Sequence, residues 1–328
     1  MHHRLIRPAA AATLAAALSI GLATSAVAAP VDPNPRQPRP FRLSEDASFP
    51  AALATSLLRP TANPPLTNNW SCKPSAEHPE PVILIHGTWE NAYDNWAGLG
   101  PVIADQGYCV FALNYGNTTG LRAFNATGDM VASNQEIAAF VAQVRTATGA
   151  EHVALVGHSQ GGAQARYYSN LAAPEGEVTK VIMLTPSNHA TTLSGITILG
   201  DLLGLKQFGF TVLQLLRMPA AVQQASPDAP FYVNLNGNGE TRPGIDYTVI
   251  ASKYDEIVTP YRQAFITAGP GATVDNITLQ SVCSKDLSEH LSVNYSKNVA
   301  QIILNKLDPE NQHAIKCYSQ APLVGSLR

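Results

Sequence analysis

Six short apolar runs, at positions 81–86, 108–113, 153–156, 181–184, 247–251 and 277–281, stand out from an otherwise mixed chain. Several are apolar at consecutive positions, where a strand with one wet face would alternate, so they predict strands covered on both sides. Between them the apolar spacing changes to that of helices. Ile137, Phe140, Val141 and Val144 share one face behind a candidate capping box of Ser133 and Glu136; Val299, Ile302, Ile303 and Leu307 share another near the end. This alternation predicts an α/β fold: a mostly parallel central sheet with helices on both faces, joined by right-handed crossovers.

One interval breaks the rhythm. About sixty residues separate the run ending at Leu184 from the one beginning at Tyr247, far more than a strand-to-strand connection needs. The stretch from Ile196 to Met218 is strongly apolar, and residues 226–244 are rich in Pro, Gly and Asn. A helical cap inserted at about 186–245, with a looped return, is expected. Upstream, Pro30, Pro33, Pro35, Pro38 and Pro40 crowd together, so residues 29–65 predict an extended lead-in. Residues 66–328 then form the main domain.

Residues 1–28 have the layout of a secretory signal. Basic Arg4 and Arg7 precede an Ala/Leu-rich stretch, and Ala26-Val27-Ala28 offers small residues for cleavage. A secreted, extracellular protein is expected, cut near Ala28 and without a transmembrane anchor. Its four cysteines, Cys72, Cys109, Cys283 and Cys317, all lie in the exported part, where they can pair. Three pairings are open; Cys72 with Cys109 and Cys283 with Cys317 are preferred, since each ties an irregular flank to a nearby end of the fold. Their spacing does not resemble a zinc ligand set, and no metal is expected. A formal net charge of -3 offers no basic field, which argues against nucleic acid as a partner. A monomer is expected.

The chemistry concentrates in Gly157-His158-Ser159-Gln160-Gly161, a G-x-S-x-G segment between a buried strand and a helix. That is the setting of a nucleophile elbow, in which a sharp turn presents a serine hydroxyl at a helix N-terminus. Ser159 needs a base, and the base needs an acid to hold it. With the chain order Ser, acid, His, the downstream candidates for the base are His189, His290 and His313. His189 precedes every plausible acid and His313 has no strand before it, leaving His290. Asp255, in the loop after the run ending at Ala251, is the acid, with Glu256 its nearest competitor. An oxyanion requires donors fixed in advance. The backbone N–H of Gln160 is one; the other is the backbone N–H of Thr88, in the turn after the first strand, with its hydroxyl as an extra donor. His86 reads as a structural buttress of that turn.

HGTWEN at 86–91, GHSQGG at 157–162, TPSNHATT at 185–192 and YTVIASKYDEIVTPY at 247–261 together resemble the secreted bacterial lipases of the class 2 group, in the α/β-hydrolase superfamily. The similarity runs from about Trp70 to Cys317, and the pattern often has Gly where this chain has Ala190. The resemblance implies an α/β-hydrolase fold and a carboxylic-ester hydrolase acting on acylglycerols and simpler fatty-acid esters, without a cofactor. Its motifs give Ser159, Asp255 and His290 the same triad roles. The substrate would be a lipid or ester, met at a lipid–water interface by the apolar cap. Two other readings are carried alongside: an acyltransferase on the same scaffold, and a non-catalytic surface-binding protein that kept the fold.

Overall fold

The computed structural model describes residues 48–208, 211–215 and 217–325. The expected leader and cleavage site lie outside the described residues, as does the proline cluster. The expected extended lead-in is corrected within them: α1, Phe49–Leu58, is helical. All the clustered prolines precede it, Pro50 sits in its first turn, where no amide donor is needed, and the residues from Ala51 to Leu58 contain no breaker.

The chain then runs β1 (Val82–Ile85), α2 (Ala92–Trp96), α3 (Leu99–Asp105), β2 (Val110–Leu113), α4 (Met130–Thr148), β3 (Val153–His158), α5 (Gln160–Tyr167) and β4 (Val178–Leu184). The cap follows with α6 (Leu193–Leu202), a 3₁₀ turn, α7 (Val212–Leu215), α8 (Pro219–Gln224) and α9 (Pro230–Gly237). β5 (Asp246–Ala251), β6 (Thr273–Thr278), the short α10 (Leu279–Val282) and α11 (Lys297–Leu307) complete it. The return of the cap is thus partly helical, where a loop was expected. Pro230 opens α9 at its first turn, and Phe231, Tyr232 and Leu235 bury one side of it. Arg166 of α5, wholly buried, reaches Asn236 of α9 and the carbonyl of Asn188, fastening this return to the body of the fold.

The strands form one parallel sheet in the order β2-β1-β3-β4-β5-β6. Because side chains alternate along a strand, each strand feeds two cores. Ile83, Phe111, Leu155 and Val181 pack against Ile137, Val141 and Val144 of α4; Leu84, Val110, Val156 and Ile182 pack against Val102 and Ile103 of α3 and Val299 and Ile303 of α11. α4 begins a turn earlier than the candidate capping box implied. Asp129 caps it by accepting from the amide of Ala132 at 2.8 Å, Ser133 is inside the helix, and Glu136 instead accepts from the amide of Gly116.

β1 lies between β2 and β3, so the connection leaving β1 goes one way across the sheet and that leaving β3 goes the other. Such a switch point opens a crevice at the carboxyl ends of the two strands. Register brings those ends level: Ile85 is opposite Gly157, His158 opposite Leu184, and Leu184 opposite Ile250. The loops beginning at His86, Ser159, Thr185 and Ser252 therefore emerge side by side. No helix among the described residues is long and apolar enough to cross a membrane.

The disulfides join Cys72 to Cys109 and Cys283 to Cys317, the preferred pairing, at sequence separations of 37 and 34. Closing loops of that length constrains the unfolded chain by roughly 3–4 kcal/mol each. Replacing Cys283 and Cys317 together by alanine is expected to lower unfolding free energy by that amount in a urea titration. A midpoint unchanged from the parent would show that the bridge adds nothing.

Candidate active site

At the switch point β3 ends in a turn whose centre is Ser159, held at φ 52° and ψ -123°, a region that residues with a Cβ rarely occupy. The turn is tight because its neighbours lack side chains. A Cβ on Gly157 would lie 2.3 Å from the carbonyl oxygen of Gly161, and one on Gly161 would lie 2.1 Å from that of Ile85. The amide of Ser159 is fixed to the carbonyl of Leu184 at 2.9 Å, and its own carbonyl accepts from Gly162 and Ala163 as α5 begins.

Three candidate residues come together around it. Ser159 Oγ lies 2.9 Å from Nε2 of His290. Nδ1 of His290 faces both oxygens of Asp255 at 3.1 Å, so the ring carries its proton there and turns a lone pair towards the serine. Asp255 is oriented in turn by the amides of Ile257 and Val258, at 2.9 and 2.8 Å on Oδ1. Burial disfavours charge on His290, but the charge and hydrogen bond of Asp255 outweigh it and raise the imidazole to about 8. Glu256, the competing acid, makes no hydrogen bond to the ring and acts on it through charge alone. Its own carboxyl is pushed up to about 7, by burial first and then by Glu289 against the pull of His290.

The amides of Thr88 and Gln160 donate to no acceptor among the described residues. The Thr88 hydroxyl oxygen accepts from Nε2 of Gln160 at 3.0 Å and from Nε2 of Gln224 at 2.7 Å. With both lone pairs engaged, its own proton is the one left to give. His86 stacks on Tyr115 at 4.6 Å and its Nδ1 meets the carbonyl of Gly87; burial lowers it to about 4, so it is neutral. Ser159 is 2% exposed and His290 wholly buried, so the cluster is sealed from solvent. Beside it opens an apolar groove of about 430 Å³, lined by Ile198 and Leu202 of α6, Tyr254 and Glu256 on either side of Asp255, and Leu287 and Leu323.

A family model described as the alpha/beta hydrolase fold matches residues 80–210. The crystal structure of Aspergillus fumigatus lipase B superposes with a TM-score of 0.56 at 20% identity, over 84% of this chain and 59% of that one. The chain has the α/β-hydrolase fold. Among curated relatives, a triacylglycerol lipase of Pseudarthrobacter phenanthrenivorans is 35% identical over 97 residues, 28% of each chain. One of Burkholderia plantarii is 35% identical over 97 residues, 28% of this chain and 25% of that protein. The chain thus matches only about a quarter of the length of these relatives.

On this α/β-hydrolase scaffold the sequence pattern left several polar residues of the site unmarked. Gln224 arrives from α8 in the cap, and Glu90, Asn95 and His158 form a buried cluster behind Ser159 and His290. Nothing about Gln224 in the chain singles it out; Glu90 sits within HGTWEN, and an acid placed next to a glycine turn and destined for burial is the signal that was available. Ala190 adopts φ 68°, the left-handed backbone that favours glycine, in the loop below the cap. Among the described residues no group of His, Cys, Asp and Glu is placed to hold a metal ion.

Proposed function

We propose that this protein is a secreted serine lipase or esterase that hydrolyses carboxylic esters of fatty acids, acylglycerols among them, through a Ser159–His290–Asp255 triad and an acyl-enzyme. The observation that carries the reading is the unbroken hydrogen-bonded path from Ser159 Oγ through the His290 ring to Asp255, raised on a strained turn at a helix N-terminus. Oγ attacks the ester carbonyl as its proton passes to Nε2. The backbone N–H groups of Thr88 and Gln160 and the Thr88 hydroxyl hold the oxyanion. The alcohol leaves with the proton from Nε2; water, deprotonated by the same nitrogen, then releases the acid and restores Ser159. Asp255 keeps the ring in the right tautomer and stabilises its charged form without accepting the proton.

Two disulfides and the leader-like N-terminus support export. The lipase names of the relatives and the apolar groove beside the triad support a fatty-acyl substrate.

The test is hydrolysis of p-nitrophenyl esters from two to eighteen carbons, followed against pH, with labelling by a serine-directed phosphonate. Only the neutral ring can take a proton, so kcat/KM is expected to rise with pH and reach half its plateau near about 8. Asp255→Asn removes the group that raises His290, and its midpoint moves to lower pH. No turnover of any ester and no label on the purified chain would refute the reading, and a midpoint unmoved in Asp255→Asn would refute the role of the acid.

A further inference from the structure

Behind the triad, and used by none of the steps above, lies a second carboxylate–imidazole pair. Glu90 is 1% exposed and His158 wholly buried. Glu90 Oε2 is 3.1 Å from Nδ1 of His158 and accepts the amide of Gly87 at 3.1 Å. Nε2 of His158 is 2.9 Å from the backbone carbonyl oxygen of His290. A carbonyl oxygen only accepts, so Nε2 carries a proton; an ionised Glu90 also only accepts, and Nδ1 then carries another. Asn95 Nδ2 lies 2.9 Å from the same Nδ1, while Asn95 Oδ1 is buried without a donor. A half-turn of that amide brings its oxygen onto the ring proton. The carboxylate has room because residue 87 has no side chain: a Cβ there would fall 2.3 Å from Oε2.

We propose that Glu90 and a doubly protonated His158 form a buried ion pair that positions the reacting groups, by tying together the three backbone segments that carry them. Glu90 holds the turn that presents the Thr88 amide. His158 is the residue immediately before Ser159. Its ring holds the carbonyl of His290, with the two rings 5.0 Å apart. One pair of opposite charges thereby sets the oxyanion turn, the nucleophile and the base against one another, and it is net neutral, leaving charge on His290 to be answered by Asp255. Burial alone would raise Glu90; the charge and hydrogen bond of His158, with His290 and His86 beyond, pull it below the usual carboxylate range, consistent with its ionised form. Burial, and then the charge of Glu90, push the carboxyl of neighbouring Asp94 upward. Both are positioning residues, acting on substrate only through Thr88, Ser159 and His290. Removing one ion strands the other in a site without water, whereas removing both leaves neutral groups that still bond.

This inference rests on the ester-hydrolase reading for its kinetic consequence, though not for the charge state. The test starts with the unmutated full chain labelled with ¹⁵N-histidine, its His158 signals assigned by their loss in His158→Gln. Both ring nitrogens of His158 are expected to be protonated at pH 7, and Glu90→Gln to abolish that signature. A ring with one bare nitrogen overturns the pair. With p-nitrophenyl butyrate, Glu90→Gln and His158→Gln are each expected to lower kcat at least about tenfold with KM held within about twofold, and the double variant to be no slower than the worse single one. Unchanged kcat in both singles, losses confined to KM, or losses that multiply in the double variant would each overturn it. If the unmutated chain neither turns over the ester nor takes up phosphonate, the ester-hydrolase reading fails and the ring protonation still decides the pair. If it reacts and the ring is neutral, the pair alone fails.

Discussion

Alanine at Ser159 is expected to lower kcat for p-nitrophenyl butyrate by roughly a million-fold, alanine at His290 by a similar factor, and the two together by no more than either alone. The reason is that in the proposed mechanism the serine and the imidazole share one proton path. Oγ stands 2.9 Å from Nε2, and neither group does the work of the other when its partner is gone. Asp255→Asn should cost less, about 10⁴-fold, because the ring remains but loses its tautomer and the stabilisation of its charged form. Residual turnover in the double variant would come from the donors at Thr88 and Gln160, which none of these changes touches. Thermal unfolding by circular dichroism controls for fold. Losses that multiply in the double variant would mean that Ser159 and His290 do not lie on one path, and the triad reading would fall.

The second large effect concerns stability. Gly161→Ala places a methyl 2.1 Å from the carbonyl oxygen of Ile85 and 2.4 Å from that of His86. Both are backbone atoms, so no side-chain rotation relieves the clash; either α5 or the end of β1 must move. That movement would shift α5, which begins just after Ser159, relative to the end of β1, which leads into the turn carrying Thr88. A loss of about 4 kcal/mol or more is expected in urea unfolding, or failure to fold, with activity lost in either case. Gly237→Ala is the control: at the end of α9 a Cβ there meets nothing within 4 Å, and the change should stay within about 0.5 kcal/mol. Equal stabilities for the two variants would show that the approach of α5 to β1 is not rigid.

Strands β1 to β5 are announced by apolar runs because a parallel sheet covered on both faces has few positions at which a polar side chain can sit. β6 is the instructive exception. The run at 277–281 straddles its end, and Leu279–Val282 is the helical turn α10. As an edge strand β6 exposes Asp275 and Asn276, so its apolar density is low and the pattern pointed past it. α1 was hidden by the prolines upstream, which govern their own positions and not the residues that follow. The candidate triad was legible because the chemistry dictates both residue types and their order. Glu90, His158 and Gln224 were not, since a buried hydrogen bond between distant segments leaves no periodicity, only the glycine that makes space for it.

Each margin of the sheet carries a covalent clasp. Cys109 immediately precedes β2, the outermost strand on one side, and Cys283 closes the turn that follows β6, the outermost on the other. A border strand that frays therefore keeps one end leashed, β2 to the segment before β1 and β6, through α10, to the tail beyond α11, so unravelling that starts at either rim has less chain to release.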